Sequence, residues 1–104
     1  MLTQRRGINI YKISGHATTA NLIPINSILE SYKGKPILID MTDCKSIDNT
    51  ILLLFVKTIQ LQSKKLIKFQ SIDESIMSKI RNKGLDPYFE CYSNFNDALN
   101  SYTI

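Results

Sequence analysis

Short apolar runs alternate along this chain with segments of helical periodicity, and few folds accommodate that alternation. The run Ile37-Leu38-Ile39 is typical of a buried central strand, because it is wholly apolar and directly follows a turn at Gly34 and Pro36. The connections between successive elements are short, which favours parallel pairing of the strands. The sequence predicts an α/β fold, with a mixed and mostly parallel sheet of about four to five strands and about four helices.

The predicted elements can be placed from periodicity, caps and breakers. Alternating residues predict a half-buried strand before Gly15, and a short segment ahead of it is its expected antiparallel partner. Pro24 falls in the first turn of the first helix, where its missing N–H costs little. Ser71 and Glu74 have capping-box spacing before the third helix. Strands are expected at residues 2–6, 8–14, 37–39, 66–70 and 89–92. The first helix is expected after a cap at Thr18, Thr19 or Asn21 and ends before Gly34, and the second runs from a cap at Asp48 or Asn49 to about Ser63. The third ends at Gly84, and the last follows a cap at Ser93 or Asn94.

Length and composition predict one globular domain spanning residues 1–104. Hydrophobic residues make up 43% of the chain and charged residues 21%, which argues against disorder. We expect no secretory signal and no membrane-spanning segment, since the longest apolar run, residues 51–56, is far too short to cross a bilayer. Cys44 and Cys91 lie far apart in sequence and outside any CxxC pattern, which indicates free thiols and a cytoplasmic protein.

The net charge of +4 is unevenly distributed. Basic residues dominate the segment from Lys57 to Lys83, where Asp73 and Glu74 are the acidic residues. Such a segment could face an acidic partner, a membrane surface or nucleic acid. No aromatic or glycine-rich nucleic-acid motif is interleaved with it, so we expect solvated surface lysines and no nucleic-acid partner.

The residue set for an active site is missing from the sequence. His16 is the only histidine, and nothing in its spacing from Cys44 recommends a nucleophile–base pair. One histidine and two scattered cysteines do not make a zinc site. Asp40, Asp43 and Asp48 surround one loop that could hold a cation, although such carboxylates more often cap helices and face solvent. We expect no enzymatic activity, no metal and no cofactor.

The stretch from Ser46 to Phe55 changes abruptly from polar to apolar. Asp48 or Asn49 is expected to cap the helix, and the apolar run predicts that nearly every side of its first turns is buried. Thr50 has two interpretations at this point. Its hydroxyl either belongs to the cap, or lies at the surface as an acceptor for a modifying group.

The order of these motifs resembles that of the STAS domain, the fold of bacterial anti-sigma factor antagonists and of the cytoplasmic tails of sulfate transporters. The resemblance extends from about Ile8 to Tyr102. It rests on the strand ending in Asp40, the stretch 46–50, the turn 84–86 with Phe89, the helix at 97–99, and Gly15 before a loop.

The resemblance implies a phosphorylation site. Residues 46–50 match a family motif written D-S-S-G, whose second serine is phosphorylated by a partner kinase. Asn49 and Thr50 stand in place of the serines, and Ile51 stands in place of the glycine. Thr50 keeps a hydroxyl, whereas a β-branched Ile51 is expected to restrict the approach of a partner. The expected partner-binding residues are Gly15, His16, Thr18, Asp40, Asp43, Asp48, Asn49, Thr50 and Ile51.

The implied function is that of a partner-switching regulator that binds an anti-sigma-type serine/threonine kinase. The alternative is a permanent interaction subunit bound to a transporter ATPase, as in lipid-transport ABC complexes. Either protein would be a monomer or a weak dimer without membrane insertion.

Overall fold

A five-stranded mixed sheet forms the centre of the molecule, in a computed structural model that describes residues 1–63 and 65–102. Its strands lie in the order β1-β2-β4-β6-β7. Their bounds are β1 Leu2–Arg5, β2 Ile8–Lys12, β4 Ile37–Asp40, β6 Ile67–Gln70 and β7 Cys91–Tyr92. The β1–β2 pair is antiparallel and the other three pairings are parallel, which confirms the predicted α/β fold.

Four helices cover the two faces of this sheet: α1 Leu22–Ser31, α2 Asn49–Leu61, α3 Glu74–Asn82 and α4 Phe95–Asn100. The first three pack on one face, where Phe55 of α2 meets Phe69 of β6 with the ring centroids 5.3 Å apart. The last packs on the other face, against Leu38 and Ile8. The central strand is therefore buried from both sides, as its unbroken apolar run predicts.

A second, two-stranded sheet was not predicted. Strand β3 (Gly15–Ala17) pairs in parallel with β5 (Cys44–Ile47), so the expected loop at residues 43–46 was wrong. The strand that begins at Ile8 does break before Gly15, since β2 ends at Lys12, but Gly15 then begins β3. These strands are only three and four residues long, and they lack the apolar alternation that marks a half-buried strand. This two-stranded ribbon is followed directly by α2. The backbone N–H of Asp48, between β5 and α2, donates to the carbonyl of Ala17 in β3 at 2.9 Å and so ties the start of the helix to the ribbon.

The cap of α3 also differs from the prediction. Ser71 has a φ of +57°, in the left-handed region, and does not begin a capping box. Asp73 is the N-cap instead, and its carboxylate accepts the backbone N–H of Ser75 at 3.1 Å. Ser71 and Glu74 do have the spacing of a capping box, but the left-handed backbone conformation of Ser71 is not that of an N-cap residue.

The basic segment is not uniformly solvated, contrary to the expectation. Lys68 is only 4% exposed, and Lys79 donates to the backbone carbonyl of Ile47 at 2.6 Å. Lys64, which also belongs to this segment, lies outside the described residues. Cys44 and Cys91 are both free, as predicted. Within the described part of the chain, no helix has the length and apolarity needed to span a membrane.

Candidate protein-interaction site at the start of α2

The side chain of Asp48 organises the start of α2. One carboxylate oxygen accepts the backbone N–H of Ile51 at 3.1 Å and so caps the helix. The other accepts the backbone N–H of Thr19 at 2.7 Å and its hydroxyl at 3.0 Å. Because Thr19 opens the 3-10 turn Thr19–Asn21 that runs into α1, a single carboxylate joins the beginnings of two helices.

These hydrogen bonds keep Asp48 ionised. The N–H of Ile51 is the main cause of a lowered pKa at Asp48, and the hydroxyl and N–H of Thr19 lower it further. The start of α2 therefore already carries one fixed negative charge beside the exposed positions that follow it.

Thr50 lies in the first turn of α2 with its side chain exposed. Asp48 caps the helix, so the cap interpretation of Thr50 is not needed to satisfy the helix end. The hydrogen bonds found among residues 1–63 and 65–102 do not engage the Thr50 hydroxyl, whereas Thr58 in the same helix bonds to the carbonyl of Leu54 at 2.8 Å. Asn49, beside it, is also exposed.

Ile51 is not placed where the sequence led us to expect it. Its exposure is 0%, and it packs in the core between the helices and the sheet. A partner therefore cannot touch its side chain while the domain is folded. The side chain of Ile51 points inward, so it does not cover the surface around Thr50.

The ribbon of β3 and β5 supplies the adjoining part of the surface. Gly15 has a φ of +73°, which favours glycine, and it begins β3. His16 is exposed, and its Nδ1 lies 2.6 Å from the Oγ of Ser46 on the neighbouring strand. Thr18 is exposed and caps the 3-10 turn by accepting the N–H of Ala20 at 3.3 Å. His16 and Thr18 are thus close to Asp48 through the pairing of β3 with β5.

The carboxylates of Asp40 and Asp43 have other partners. Asp40 accepts the N–H and the hydroxyl of Thr42, at 3.0 and 2.6 Å, and so closes a turn after β4. Asp43 forms an ion pair with Lys12 at 2.7 Å, and this contact lowers the pKa of Asp43. Neither is drawn into a common site with Asp48, and the described residues contain no cluster of three or more groups placed to hold a metal.

Sequence reasoning missed an exposed apolar surface next to Thr50. The expectation that α2 buries nearly every side of its first turns was wrong for Leu53, which is 57% exposed, and for the half-buried Leu54. Ile23 at the start of α1 is 81% exposed. The signal was present in the spacing, because Thr50, Leu53 and Leu54 stand at i, i+3 and i+4 on one helix face.

Comparison with known proteins identifies the fold. No protein-family model and no curated protein matches the sequence. Among solved structures, an anti-sigma factor antagonist (STAS) domain protein from Planctomyces limnophilus superposes with a TM-score of 0.81 and 14% identity, covering 98% of this chain and 96% of that one. The Bacillus cell fate determinant SpoIIAA, in its phosphorylated form, gives a TM-score of 0.70 and 10% identity over 96% of each chain. A sulfate transporter family protein from Wolinella succinogenes superposes with a TM-score of 0.76 and 14% sequence identity, covering 94% of this chain and 86% of that one.

Proposed function

We propose that this chain, which has the STAS fold of anti-sigma factor antagonists, is a non-enzymatic regulator that binds an anti-sigma-type serine/threonine kinase and accepts phosphate on Thr50. The observation that carries the proposal is the position of Thr50. Its side chain is exposed in the first turn of α2. The backbone of this turn is held in place by Asp48, which accepts hydrogen bonds from Ile51 and Thr19. A hydroxyl that the cap does not use is available to an incoming phosphoryl group.

Phosphate at this position acts on binding and leaves the fold intact. It adds about −1.5 to −2 charges at neutral pH. The N-terminus of a helix tolerates an anion, because its unpaired N–H groups and the macrodipole both favour negative charge. A partner docked on this surface would instead meet a dianion next to the ionised Asp48. A close like-charge contact costs roughly several kcal/mol, which is enough to separate a micromolar complex.

Two features support this proposal against a purely structural role for Thr50. The capping function belongs to Asp48, and the replacement of the family's glycine by Ile51 leaves the outer surface unobstructed because Ile51 is buried. The likeness to SpoIIAA, whose phosphorylated form has this fold, agrees with a phosphate being compatible with the architecture.

Phosphotransfer tests the proposal. The anti-sigma-type serine kinases encoded in the source genome are purified one by one, incubated with this protein and ATP, and the phosphate is mapped by mass spectrometry. We expect one kinase to label Thr50, Thr50→Ser to be labelled as well, and Thr50→Ala to be unlabelled. Equal labelling of Thr50→Ala would disprove the role of Thr50.

The second candidate function is a permanent interaction subunit of a transporter complex. It is favoured by the likeness to the sulfate transporter family protein from Wolinella succinogenes. Such a subunit would bind a transporter ATPase through the same surface without a phosphorylation cycle. Stable co-purification with an ATPase, unchanged by Thr50→Glu, would favour this candidate over the kinase-binding regulator.

A further inference from the structure

Basic side chains gather at the end of the domain opposite to Thr50. The parallel strands β2, β4 and β6 begin side by side there, because Asn9 pairs with Ile37 and Ile37 pairs with Ile67. The antiparallel β1 ends at the same place. From β1 to β6 is about 14 Å, or three strand spacings, so the charges at this end form one patch. We call this patch the basic end, and its exposed cations are Arg5, Arg6, Lys33, Lys35 and Lys65.

Nearby carboxylates leave most of this charge unbalanced. The ion pairs found among residues 1–63 and 65–102 do not include any of the five cations. Arg6 donates to the side-chain oxygen of Asn100 at 2.8 Å, and Arg5 lies over the ring of Phe95, so both contact neutral groups. Glu30, in the last turn of α1, can offset one of the five charges. Acidic residues are instead concentrated at the opposite end, as Asp40, Asp43, Asp48, Asp73 and Glu74.

An exposed leucine lies among the cations. Leu61 is the last residue of α2, which runs from the end that holds Thr50 to the basic end, and it is 72% exposed. The side chain of the next residue, Gln62, accepts the N–H of Gly34 at 3.0 Å, so the loop that carries two of the lysines lies against the end of this helix. A large apolar side chain surrounded by cations is typical of a protein surface that lies on a membrane interface.

We propose that the basic end docks on the surface of an anionic phospholipid bilayer, with its lysines and arginines over the headgroups and Leu61 in contact with the interface. Charge complementarity selects a surface of fixed negative charge. Nucleic acid also offers such charge, but its phosphates give Leu61 no apolar contact. The basic end also presents loops and a turn, whereas a helix or a two-stranded ribbon is what enters the major groove.

This inference goes beyond the proposed function and does not depend on it. Leu61 follows Thr50 by eleven residues in α2, which places them about 16 Å apart along the helix axis. A domain that lies on a bilayer through the basic end therefore keeps the start of α2 accessible to a protein partner.

Co-sedimentation with lipid vesicles tests the lysines. The protein should bind vesicles of phosphatidylglycerol mixed with phosphatidylcholine and should not bind pure phosphatidylcholine vesicles. Binding should be lost as salt rises from about 0.1 M to 1 M, because the Debye length falls from about 10 Å to 3 Å. We expect Lys35→Gln and Lys65→Gln each to weaken binding about fivefold. Lys45→Gln is the matched control, since Lys45 is an exposed lysine of β5 away from the basic end, and it should stay within about twofold of the wild type.

The same assay tests the leucine. Leu61→Gln should weaken binding about threefold without changing its dependence on salt, because the substitution removes an apolar contact and keeps the charge. Leu53→Gln is its matched control, since Leu53 is 57% exposed on the same helix but lies in the first turns, away from the basic end. Its affinity for the vesicles should equal that of the wild type within about twofold.

Three results would overturn the inference. One is that the protein fails to sediment with anionic vesicles at low salt, or binds neutral vesicles equally well. Another is that Lys45→Gln weakens binding as much as Lys35→Gln, since net charge alone would then explain the attraction. The third is salt-dependent binding of a random-sequence RNA or DNA duplex that exceeds vesicle binding and is weakened by Lys35→Gln, which would assign the basic end to nucleic acid.

Discussion

Asp48 accepts two hydrogen bonds from Thr19, a residue 29 positions earlier in the chain, at 2.7 and 3.0 Å. The same carboxylate caps α2 through the N–H of Ile51. The start of α2 and the entry to α1 are consequently held together by one side chain. Thr50 follows Asp48 by two residues, so this contact fixes the start of α2, where Thr50 lies, relative to the entry to α1.

Substitution of Asp48 should destabilise the fold. Asp48→Ala removes the cap and both bonds to Thr19, and we expect a melting temperature lower by about 5 °C or more. Asp48→Asn keeps an oxygen acceptor for the N–H of Ile51 and should recover a large part of the loss. Thermal unfolding followed by circular dichroism measures both. An unchanged melting temperature in Asp48→Ala would show that this carboxylate does not hold the two helices.

The contribution of Asp48 should also depend on pH. Its pKa is lowered in the folded protein, chiefly by the N–H of Ile51, so the folded state favours the ionised form. Its stabilising effect is present above the unfolded-state pKa of about 3.9 and is lost as the pH falls through the lower folded-state pKa. The gap in melting temperature between the wild type and Asp48→Asn, which is smaller than that of Asp48→Ala, should therefore be largest near pH 6 and should narrow as the pH falls below about 4.

A negative charge at Thr50 should leave the fold intact. We expect Thr50→Glu to melt within a few degrees of the wild type or slightly above it, because a helix N-terminus favours an anion by about 0.3–1 kcal/mol. Asn96→Glu is the matched control, since Asn96 is an exposed residue at the second position of α4, as Thr50 is of α2. A loss of about 10 °C confined to Thr50→Glu would contradict a switch that acts on binding alone.

Lys68 should be a structural residue despite its position in a basic segment. Its ammonium lies 3.0 Å from the carbonyl and 2.9 Å from the hydroxyl of Ser101 after α4, and 3.1 Å from the carboxylate of Glu90. Lys68→Met leaves these groups without their donor, and we expect a loss of about 1–3 kcal/mol in the free energy of unfolding. Lys65→Met, at an exposed lysine three residues earlier, should change the free energy of unfolding by less than about 0.5 kcal/mol.

Denaturant unfolding distinguishes these lysine variants. Lys68 lies on the sheet face that α4 covers, away from α1 and α2, so kinase binding should be the same in both variants. A Lys68→Met protein as stable as the wild type would mean that apolar packing alone holds α4 on the sheet.

The thiol of Cys91 should be unreactive. Burial raises its pKa to about 11, with a smaller contribution from the charge of Glu90, and burial also raises the pKa of Cys44. At pH 8 the thiolate fraction of Cys91 is lower than in an unperturbed cysteine by roughly a hundredfold. Alkylation by iodoacetamide, followed by mass spectrometry, should be slower in the native protein by at least this factor than in guanidinium. Rapid native-state alkylation would show that the strand end around Cys91 opens readily.

The sequence predicted the principal sheet because apolar periodicity reports burial directly. Residues 37–39 are apolar throughout, and they are buried on both faces of the sheet. Strands β3 and β5 were not predicted because they are only three and four residues long, which is too short to show an apolar period. They also pair only with each other, outside the principal sheet. The capping box at Ser71 failed because a left-handed backbone conformation leaves no mark in side-chain spacing.

The local structure around the candidate site was predicted in part for the same physical reasons. A polar residue before an apolar helix indicates a cap, and Asp48 is that cap. The exposure of Leu53 was indicated only by its place three residues after the polar Thr50 on the same helix face, since a leucine in an apolar run otherwise looks the same whether it faces the core or a partner. Burial of Lys68 was missed because the bonds that satisfy it come from Ser101 and Glu90, which are distant in sequence.

The affinity of the kinase for unmodified protein and for protein phosphorylated at Thr50 tests the central claim most directly. Isothermal titration of the two forms under the same salt conditions should give a dissociation constant at least about 30-fold weaker for the phosphorylated form, because its dianion and Asp48 together face the docked surface. Equal affinities for the two forms would contradict the claim that phosphate on Thr50 controls partner binding.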